Sequence, residues 1–341
     1  MSTNGAQMSE KRWARRPEGS NWGEFGPDDQ RGRLNLLTPE RVLRAVAEVR
    51  VGRVFCLSLP LDRPGGNYHD LQRRPPELRP VVRGGQMKYN LRARPDHPDV
   101  FSDDSVHLFN QFSSHWDALA HVGSMFDGDG DGVPEVRYYN GYRGGREIGA
   151  TDDAFTGACA LGIDQMAVVG VQGRGVMIDL HSTFGSERRL VGYDDLMRVC
   201  EKDEVAVEEG DMVCLHTGQA AALLAEGRNP DRATLENAFC HLDGCDPLLL
   251  RWIDASGIVA LAADNFAVEA VPPSAAASGR AYEGLHELCL FKLGIHLGEL
   301  WHLSELNHWL RDHRRSRFLL TAPPLRLPGA VGSPVTPVAT V

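Results

Sequence analysis

The sequence lacks any continuous apolar run of the roughly 18 residues that a helix needs to span a bilayer. Its first twenty residues are polar and contain no apolar stretch of the secretory-signal type. Cysteine is also scarce, with seven residues, an odd number, and no C-x-x-C pair. Because disulfide frameworks use paired cysteines in an oxidising compartment, these absences predict a cytoplasmic protein with no membrane partner.

Positive charge is in deficit as well. The 341 residues include 36 Lys and Arg against 46 Asp and Glu, which gives a formal net charge of −10. Because nucleic-acid binding depends on clustered basic residues, the composition argues against a nucleic-acid partner. The sequence contains no glycine-rich phosphate loop and no Gly-x-Ser-x-Gly nucleophile motif. A hydrophobic content of 42% is ordinary for a globular chain that buries a large core.

Local composition divides the chain into three parts. Residues 1–19 are polar and Arg-rich, which predicts a disordered N-terminal segment. Residues 20–318 form the predicted single domain, and the Pro- and Gly-rich residues 319–341 predict an extended tail along the surface or a partner subunit. Between residues 67 and 100 an Arg- and Pro-rich stretch without periodicity predicts a long loop. We interpret that loop as a lid, since it closely precedes the motif described below.

Strands and helices alternate within the predicted domain, a pattern typical of an α/β fold. Apolar runs predict strands at 54–59, 167–171, 175–180, 211–218 and 258–263. Helical spacing predicts helices at 39–50, 193–202, 247–256 and 284–293, the first with Thr38 as its N-cap. This pattern alone does not distinguish a doubly wound sheet from a mixed one.

One short segment carries most of the chemical information. The eleven residues from Gln111 to His121 read Q-F-S-S-H-W-D-A-L-A-H and place an amide, two imidazoles and a carboxylate close together. On a strand, His115 and Asp117 would project from the same face, with Gln111 on that face too. Nitrogen and oxygen donors in such a row suit a divalent ion such as Zn²⁺ or Mn²⁺. A single His-x-Asp triplet is a weak signal, so the surrounding sequence decides.

The surrounding sequence resembles the cyclase-like metal-dependent hydrolases, a family that includes bacterial kynurenine formamidase and isatin hydrolase. Their motif reads close to His-x-Gly-Thr-His-x-Asp-x-Pro-x-His, which His115, Asp117 and His121 match. Gln111 replaces the first His, Ser113-Ser114 replaces Gly-Thr, and Leu119 replaces Pro. Matches to a distal His and Glu, and to the opening of the longer bacterial members, follow in the expected order over roughly residues 20–312: His286, Glu299, Asn21–Asp29 and Leu34–Glu40.

The resemblance implies a mixed, barrel-like β-sheet flanked by helices, of the swivelling β/β/α type, and a homodimer or homotetramer. It also implies that His115, Asp117, His286 and Glu299 bind one divalent ion, Zn²⁺ or Mn²⁺. At Gln111, ligation by the amide oxygen, a hydrogen bond to the substrate and loss of the metal all stay open. His121 is the candidate general acid or base, because imidazole titrates near neutral pH.

Six further residues are candidates for binding a small-molecule substrate, with core packing as the alternative for at least one of the aromatic residues Trp22, Phe25 and Trp116. Aromatic and hydrogen-bonding side chains near the motif would form the pocket wall, and Asp264, which follows a predicted strand together with Glu269, would lie at its edge. These six candidates are Trp22, Phe25, Trp116, Tyr139, Asn140 and Asp264.

Together these features predict a metal-dependent hydrolase that cleaves or opens an amide, lactam or related carbonyl bond in a small molecule, aromatic ones included. Two alternatives stay open. The same groups would support a metal-dependent cyclase or dehydratase, and the loss of a His at Gln111 would fit a relative that only binds a small molecule. The sequence names neither the substrate nor the metal.

Overall fold

A nine-stranded mixed sheet forms the centre of the computed structural model, which describes residues 11–66, 72–92, 94–151, 154–231, 237–271 and 281–341. The strands are β1 Val54–Cys56, β2 Glu77–Pro80, β3 Val82–Arg83, β4 Gln86–Met87, β5 Leu91–Arg92, β6 Val100–Phe101, β7 Asp104–His107, β8 His115–Asp117, β9 Ser124–Phe126, β10 Glu135–Arg137, β11 Ile148–Thr151, β12 Ala154–Ala158, β13 Gln172–Asp179, β14 Arg189–Val191, β15 Met212–His216, β16 Cys240–Leu242, β17 Ala260–Ala263, β18 His296–Glu299, β19 Arg317–Thr321, β20 Gly332–Pro334 and β21 Val338–Thr340. The central sheet has the order β1-β21-β19-β13-β15-β17-β18-β8-β20.

The described helices are α1 Pro39–Val46, α2 Ile163–Val169, α3 His181–Phe184, α4 Tyr193–Lys202, α5 Gln219–Glu226, α6 Pro247–Ala255, α7 Gly284–His286 and α8 Ser304–Asp312. A π-helical segment, Glu287–Leu293, continues α7, and 3₁₀ turns lie at Gly32–Leu36 and Tyr139–Gly141. All the helices in the described part of the chain are too short or too polar to cross a membrane.

The middle of the sheet is parallel and its flanks are antiparallel. Strands β13, β15, β17 and β18 run parallel to one another, while β8 pairs antiparallel with both β18 and β20. This curled sheet with helices on its faces confirms the predicted mixed α/β class. The strands at 175–180, 211–218 and 258–263 and the helices at 193–202, 247–256 and 284–293 are also confirmed within a few residues at each end.

Each face of the sheet packs into its own apolar core. Leu215 and Leu297 project into one cluster, and Cys214 and Ala262 project into the other. Because adjacent strand residues point to opposite faces, this alternation assigns every residue of the central strands to one side. Along β8, Trp116 lies in the second cluster, so its neighbours His115 and Asp117 face the first.

Residues 11–19 and 319–341 depart from the sequence prediction, while residues 1–10 lie outside the described residues. Within the predicted disordered segment 1–19, residues 11–19 are described, and Trp13 packs edge to face against Trp22 at a centroid distance of 5.7 Å. The predicted surface tail 319–341 instead supplies most of β19 and all of β20 and β21, and Val341 is fully buried. Unsatisfied strand edges in the sheet explain this, since the C-terminal residues complete its hydrogen bonding.

One predicted strand is wrong. Residues 167–171 belong largely to helix α2, which ends at Gly170 in a left-handed conformation (φ 82°). Short Val-rich runs fit a helix or a strand equally well by periodicity. In α2 the buried side chains are Ile163 and Met166, three residues apart, which is the spacing of a helix face.

Six short strands, β2 to β7, form a ribbon of three strand pairs that precedes the β8 motif in the chain. β2 pairs with β7, β3 with β4, and β5 with β6. Apolar side chains on this ribbon are exposed rather than packed: Leu78, Val82, Met87, Tyr89, Val100, Phe101 and Val106. Its action as a lid stays a prediction.

A buried polar network attaches α8 to the carboxyl ends of β13 and β15. His216 Nδ1 lies 2.8 Å from Asp179 Oδ1, and His216 Nε2 lies 3.0 Å from Ser304 Oγ. Asn307 contacts the same imidazole at 3.0 Å, and Arg311 donates to Asp179 at 2.5 Å. By strand alternation this network lies on the face of the sheet opposite His115.

Candidate metal centre

The candidate metal centre is assembled where β8 meets β18. In the antiparallel register, Glu299 lies directly opposite His115, so both side chains project from one face. Asp117 follows two residues after His115 and shares that face. Strand alternation and register therefore place three possible ligands together, His115 and Asp117 from β8 and Glu299 from β18.

The three side chains are close and almost completely buried. His115 Nε2 lies 3.6 Å from Asp117 Oδ1 and 3.7 Å from Glu299 Oε2. One ligand atom from each residue lies within 4.8 Å of the other two, and no other group of three His, Cys, Asp or Glu in the described residues does this. This spacing suits three ligands around one divalent ion.

Hydrogen bonding supports the fit of an ion at this position. His115 Nε2 and both carboxylate oxygens of Asp117 are buried without a hydrogen-bond partner, while His115 Nδ1 contacts the carbonyl of Ser113 at 2.7 Å. A buried polar atom without a hydrogen-bond partner destabilises the folded protein, and a bound metal ion would supply that partner. The carbonyl of Ser113 occupies one imidazole nitrogen of His115, so the other nitrogen is available to bind a metal. The donor set therefore fits a divalent cation.

His286 approaches the same centre from α7. Its Nε2 lies 3.3 Å from Glu299 Oε1, and its Nδ1 lies 2.8 Å from Glu269 Oε1. Burial alone would lower the pKa of His286, but the two carboxylate contacts raise it well above its usual value. The structure thus brings His286 beside Glu299, and its predicted role as a ligand stays a prediction.

The two carboxylates of the centre differ in their electrostatics. Burial raises the pKa of Asp117 to about 7, despite the opposing effect of His115. Burial also opposes ionisation of Glu299, but the hydrogen bond from His286 and the charge of His115 hold the pKa of Glu299 below its ordinary range. A bound cation would further favour the charged form of both groups.

His121 lies at the outer side of the centre. Its Nε2 is 3.6 Å from Asp117 Oδ1, and its side chain keeps 24% of its exposure. Burial, with a smaller effect from the charge of His286, lowers the pKa of His121 to about 4. The imidazole is therefore neutral at pH 7 and able to accept a proton.

The side chain of Gln111 approaches β20 where that strand pairs with β8. An ideal Cβ on Gly332, the β20 residue paired with Asp117, would meet Gln111 Nε2 at 2.4 Å. Only glycine leaves room for the amide at this point of β20. Ligation of a metal by Gln111 stays a prediction.

Two tryptophans predicted to contact the substrate are buried in the apolar cores. Trp116 is fully buried on the face of the sheet opposite His115, and its indole donates to the carbonyl of Ala322. Trp22 is 1% exposed, and its indole donates to the carbonyl of Phe291. Trp116 therefore points away from the metal centre, whereas substrate contact by Trp22 and by the half-buried Phe25 stays a prediction.

Three other candidates have structural contacts that account for them. Asn140 donates to the carbonyls of Gly26, Pro27 and Asp29 and so holds the N-terminal loop. Tyr139 is fully buried next to Gly294. Asp264 accepts hydrogen bonds from the loop after β15, at the backbone of Thr217 and Gly218. Substrate contact by these three residues stays a prediction.

The sequence did not predict the contacts that Glu269 and Arg73 make near the centre. Glu269, predicted at the edge of the pocket, is buried behind His286. Arg73 donates to the carbonyl of Gln111 at 2.9 Å, and its guanidinium lies 5.9 Å from the ring centroid of Phe266. No spacing signal marks either residue, because each contact joins segments separated by 17 or more residues.

Comparison with known families identifies residues 55–270 as a match to the family model described as “Putative cyclase”. A solved structure described as a novel cyclase is 31% identical, covers 94% of this chain and 99% of its own, and has a TM-score of 0.76. Among curated protein sequences, none matches this chain.

Two isatin hydrolase structures share the fold at low identity. Isatin hydrolase A from Labrenzia aggregata, bound to benzyl benzoate, is 14% identical with a TM-score of 0.51, covering 85% of this chain and 93% of its own. Isatin hydrolase A from Ralstonia solanacearum is 15% identical with a TM-score of 0.52, covering 84% and 91%.

Proposed function

Because the chain belongs to the “Putative cyclase” family, we propose that it is a metal-dependent hydrolase that cleaves or opens an amide, lactam or related carbonyl bond in a small molecule. The observation that carries this proposal is the set of buried, unpartnered ligand atoms on His115 and Asp117, with Glu299 beside them. A divalent ion, Zn²⁺ or Mn²⁺, would satisfy those atoms at once.

The residues of the centre have separable tasks in this proposal. A divalent ion held by His115, Asp117 and Glu299 would polarise a carbonyl and lower the pKa of water to about 7. His121, neutral and partly exposed, accepts a proton from the attacking water and returns it to the leaving nitrogen. Burial of the carboxylates keeps bulk water from competing for the ion.

A homodimer or homotetramer is the proposed assembly. The support is the ribbon β2 to β7, whose apolar side chains Leu78 and Met87 are 68% and 67% exposed. A row of exposed apolar side chains on paired strands is a surface that association would bury. The seven free thiols support the proposed cytoplasmic location, because such a compartment keeps them reduced.

The experiment that tests the proposed function combines metal loading with a substrate screen. Metal-free protein and protein loaded with Zn²⁺ or Mn²⁺ are incubated with N-formyl aryl amines, isatins and cyclic imides. The proposal predicts ring opening or amide cleavage only in the loaded protein. Tight binding of a panel member without turnover or metal would instead identify a binding protein, and loss of water from a substrate would identify a lyase.

A further inference from the structure

Glu269 is a buried carboxylate, 1% exposed, both of whose oxygens face the start of α7. Oε2 accepts from the backbone N–H of Leu285 at 3.0 Å, and Oε1 accepts from the backbone N–H of His286 at 2.8 Å. These two backbone contacts place the carboxylate independently of the imidazole that it also touches. The position of the Glu269 carboxylate therefore does not depend on the orientation of the His286 ring.

The backbone around Glu269 is equally well fixed. Leu242 of β16 forms an isolated parallel bridge with Glu269, and Ala270 N–H donates to the carbonyl of Leu242. On the other side, an ideal Cβ on Gly244 would lie only 1.8 Å from Glu269 Oε2. The carboxylate thus occupies space that a glycine leaves open, and any larger residue there would displace it.

The contact with the imidazole determines which ring nitrogen faces the metal centre. A carboxylate only accepts, so Nδ1 of His286 donates its proton to Glu269 Oε1 at 2.8 Å. Nε2 then faces Glu299 Oε1 at 3.3 Å, and Glu299 belongs to the group of three with His115 and Asp117. Glu269, His286 and Glu299 form one continuous chain of contacts into the centre.

From this chain we propose that Glu269 is a positioning residue, which fixes the ring orientation of His286 so that Nε2 faces the metal centre. The inference rests on the proposed function. Carboxylates that hold a histidine from behind contribute 10–100-fold, as an order of magnitude, to metal affinity in comparable sites. The same magnitude is expected here.

The test uses the full chain carrying Glu269→Gln, which keeps the size of the side chain but adds a donor and removes the charge. Titration of metal-free protein with Mn²⁺ should show an affinity about 10–100-fold weaker than that of the wild type. Nitrogen NMR of the metal-free protein should show a protonated Nδ1 on His286 in the wild type and a shifted Nδ1 resonance in the variant.

A matched control addresses general damage to the fold. Asp246 is another carboxylate that accepts backbone N–H groups, from Tyr193 and Leu248, and it packs against Gly192 much as Glu269 packs against Gly244. Asp246→Asn should leave the Mn²⁺ affinity and the His286 spectrum unchanged. If Glu269→Gln fails to fold, Gly244→Ala is the second variant, because it displaces the carboxylate without removing its charge.

Several outcomes separate this inference from the proposed function. Wild-type affinity and an unaltered His286 spectrum in Glu269→Gln, or in Gly244→Ala, would overturn the positioning role while the proposed function stands. Absence of Mn²⁺ and Zn²⁺ binding in the wild type would overturn the proposed function, and the metal-free Nδ1 resonance would still decide whether Glu269 holds the ring of His286. An equal loss of affinity in Asp246→Asn would assign the effect to general destabilisation and overturn the inference.

Discussion

His121 Nε2 lies 3.6 Å from Asp117 Oδ1, at the boundary between the buried ligands and the exterior. The side chain of Asp117 is 1% exposed and that of His121 is 24% exposed. The carboxylate is therefore in a position to hold an ion, and the imidazole is in a position to meet a substrate. Proton transfer and metal retention should then respond to different substitutions.

His121→Ala tests that separation. Removal of a general acid or base typically costs about 10²–10⁴-fold in rate, so turnover should fall by that order while bound metal is retained. The measurement is kcat on the best substrate from the screen, together with the metal content of the same sample. Full activity in His121→Ala would contradict the assigned role, and loss of the metal would make His121 a ligand instead.

His115→Ala should remove stoichiometric metal, because it deletes one of the three convergent ligands. The matched control is His296→Ala, which removes an equally buried imidazole from β18. His296 is not part of the candidate metal centre, so this variant should keep its metal even if it is less stable. Elemental analysis of both proteins, each checked for folding by circular dichroism, gives the comparison. Equal metal content in the two variants would be incompatible with the site.

Gln111→His introduces the histidine that stands first in the motif His-x-Gly-Thr-His-x-Asp-x-Pro-x-His. An imidazole is a better ligand than an amide for borderline ions, so the affinity or the number of bound Zn²⁺ ions should rise. Calorimetric titration of wild type and variant measures both quantities. Identical binding would mean that the side chain at 111 does not reach the ion, and that Gln111 only fills the space over Gly332.

Asp179→Asn should destabilise the protein by about 3 kcal/mol, the order expected when one partner of a buried pair is lost. Burial would raise the pKa of Asp179, but contacts from His216, Asn307 and Arg311 hold it below its usual range. Burial would lower the pKa of His216, but Asp179 and Asp264 raise it.

The sign of the pH dependence follows from those two shifts. The contribution of Asp179 is present above its unfolded pKa of about 3.9 and is lost as pH falls. That of His216 is fully present below its unfolded pKa of about 6.5 and is lost as pH rises through the raised folded value. Urea unfolding should therefore show the largest difference between wild type and Asp179→Asn between these two pH values, and a difference independent of pH would refute the assignment.

Charge on the ribbon should weaken the proposed assembly. Leu78→Asp with Phe101→Asp places two carboxylates on the exposed apolar side chains, which would oppose association. Light scattering after size exclusion should give a multiple of 37.5 kDa for the wild type and a smaller species for the double variant. A monomeric wild type would remove this proposal and leave the metal centre untouched.

Local patterns were the part of the structure that the sequence predicted well. The two-residue spacing of His115 and Asp117 predicted a shared strand face, and β8 has that geometry. The same alternation requires Trp116 to face the other way, so its assignment to the pocket was avoidable. Thr38 caps α1 as predicted, by accepting from Arg41 N–H.

Sequence patterns did not predict the contacts between segments that are distant along the chain. The pairing of Glu269 with His286 depends on where β16 lies against the following loop, which no periodicity encodes. The Val-rich run after Met166 fits either kind of element, and only packing selects the helix. Pro and Gly interrupt the C-terminal residues, and this composition predicted a tail. In the structure these residues instead pair with strands of the central sheet.

Anomalous scattering from crystals of the protein loaded with Mn²⁺ shows whether His115, Asp117 and Glu299 bind one ion. We expect one strong peak in contact with His115 Nε2, a carboxylate oxygen of Asp117 and a carboxylate oxygen of Glu299, with His121 beside it but not bound. A peak elsewhere, or no peak at this centre in fully loaded crystals, would rule out the metal centre.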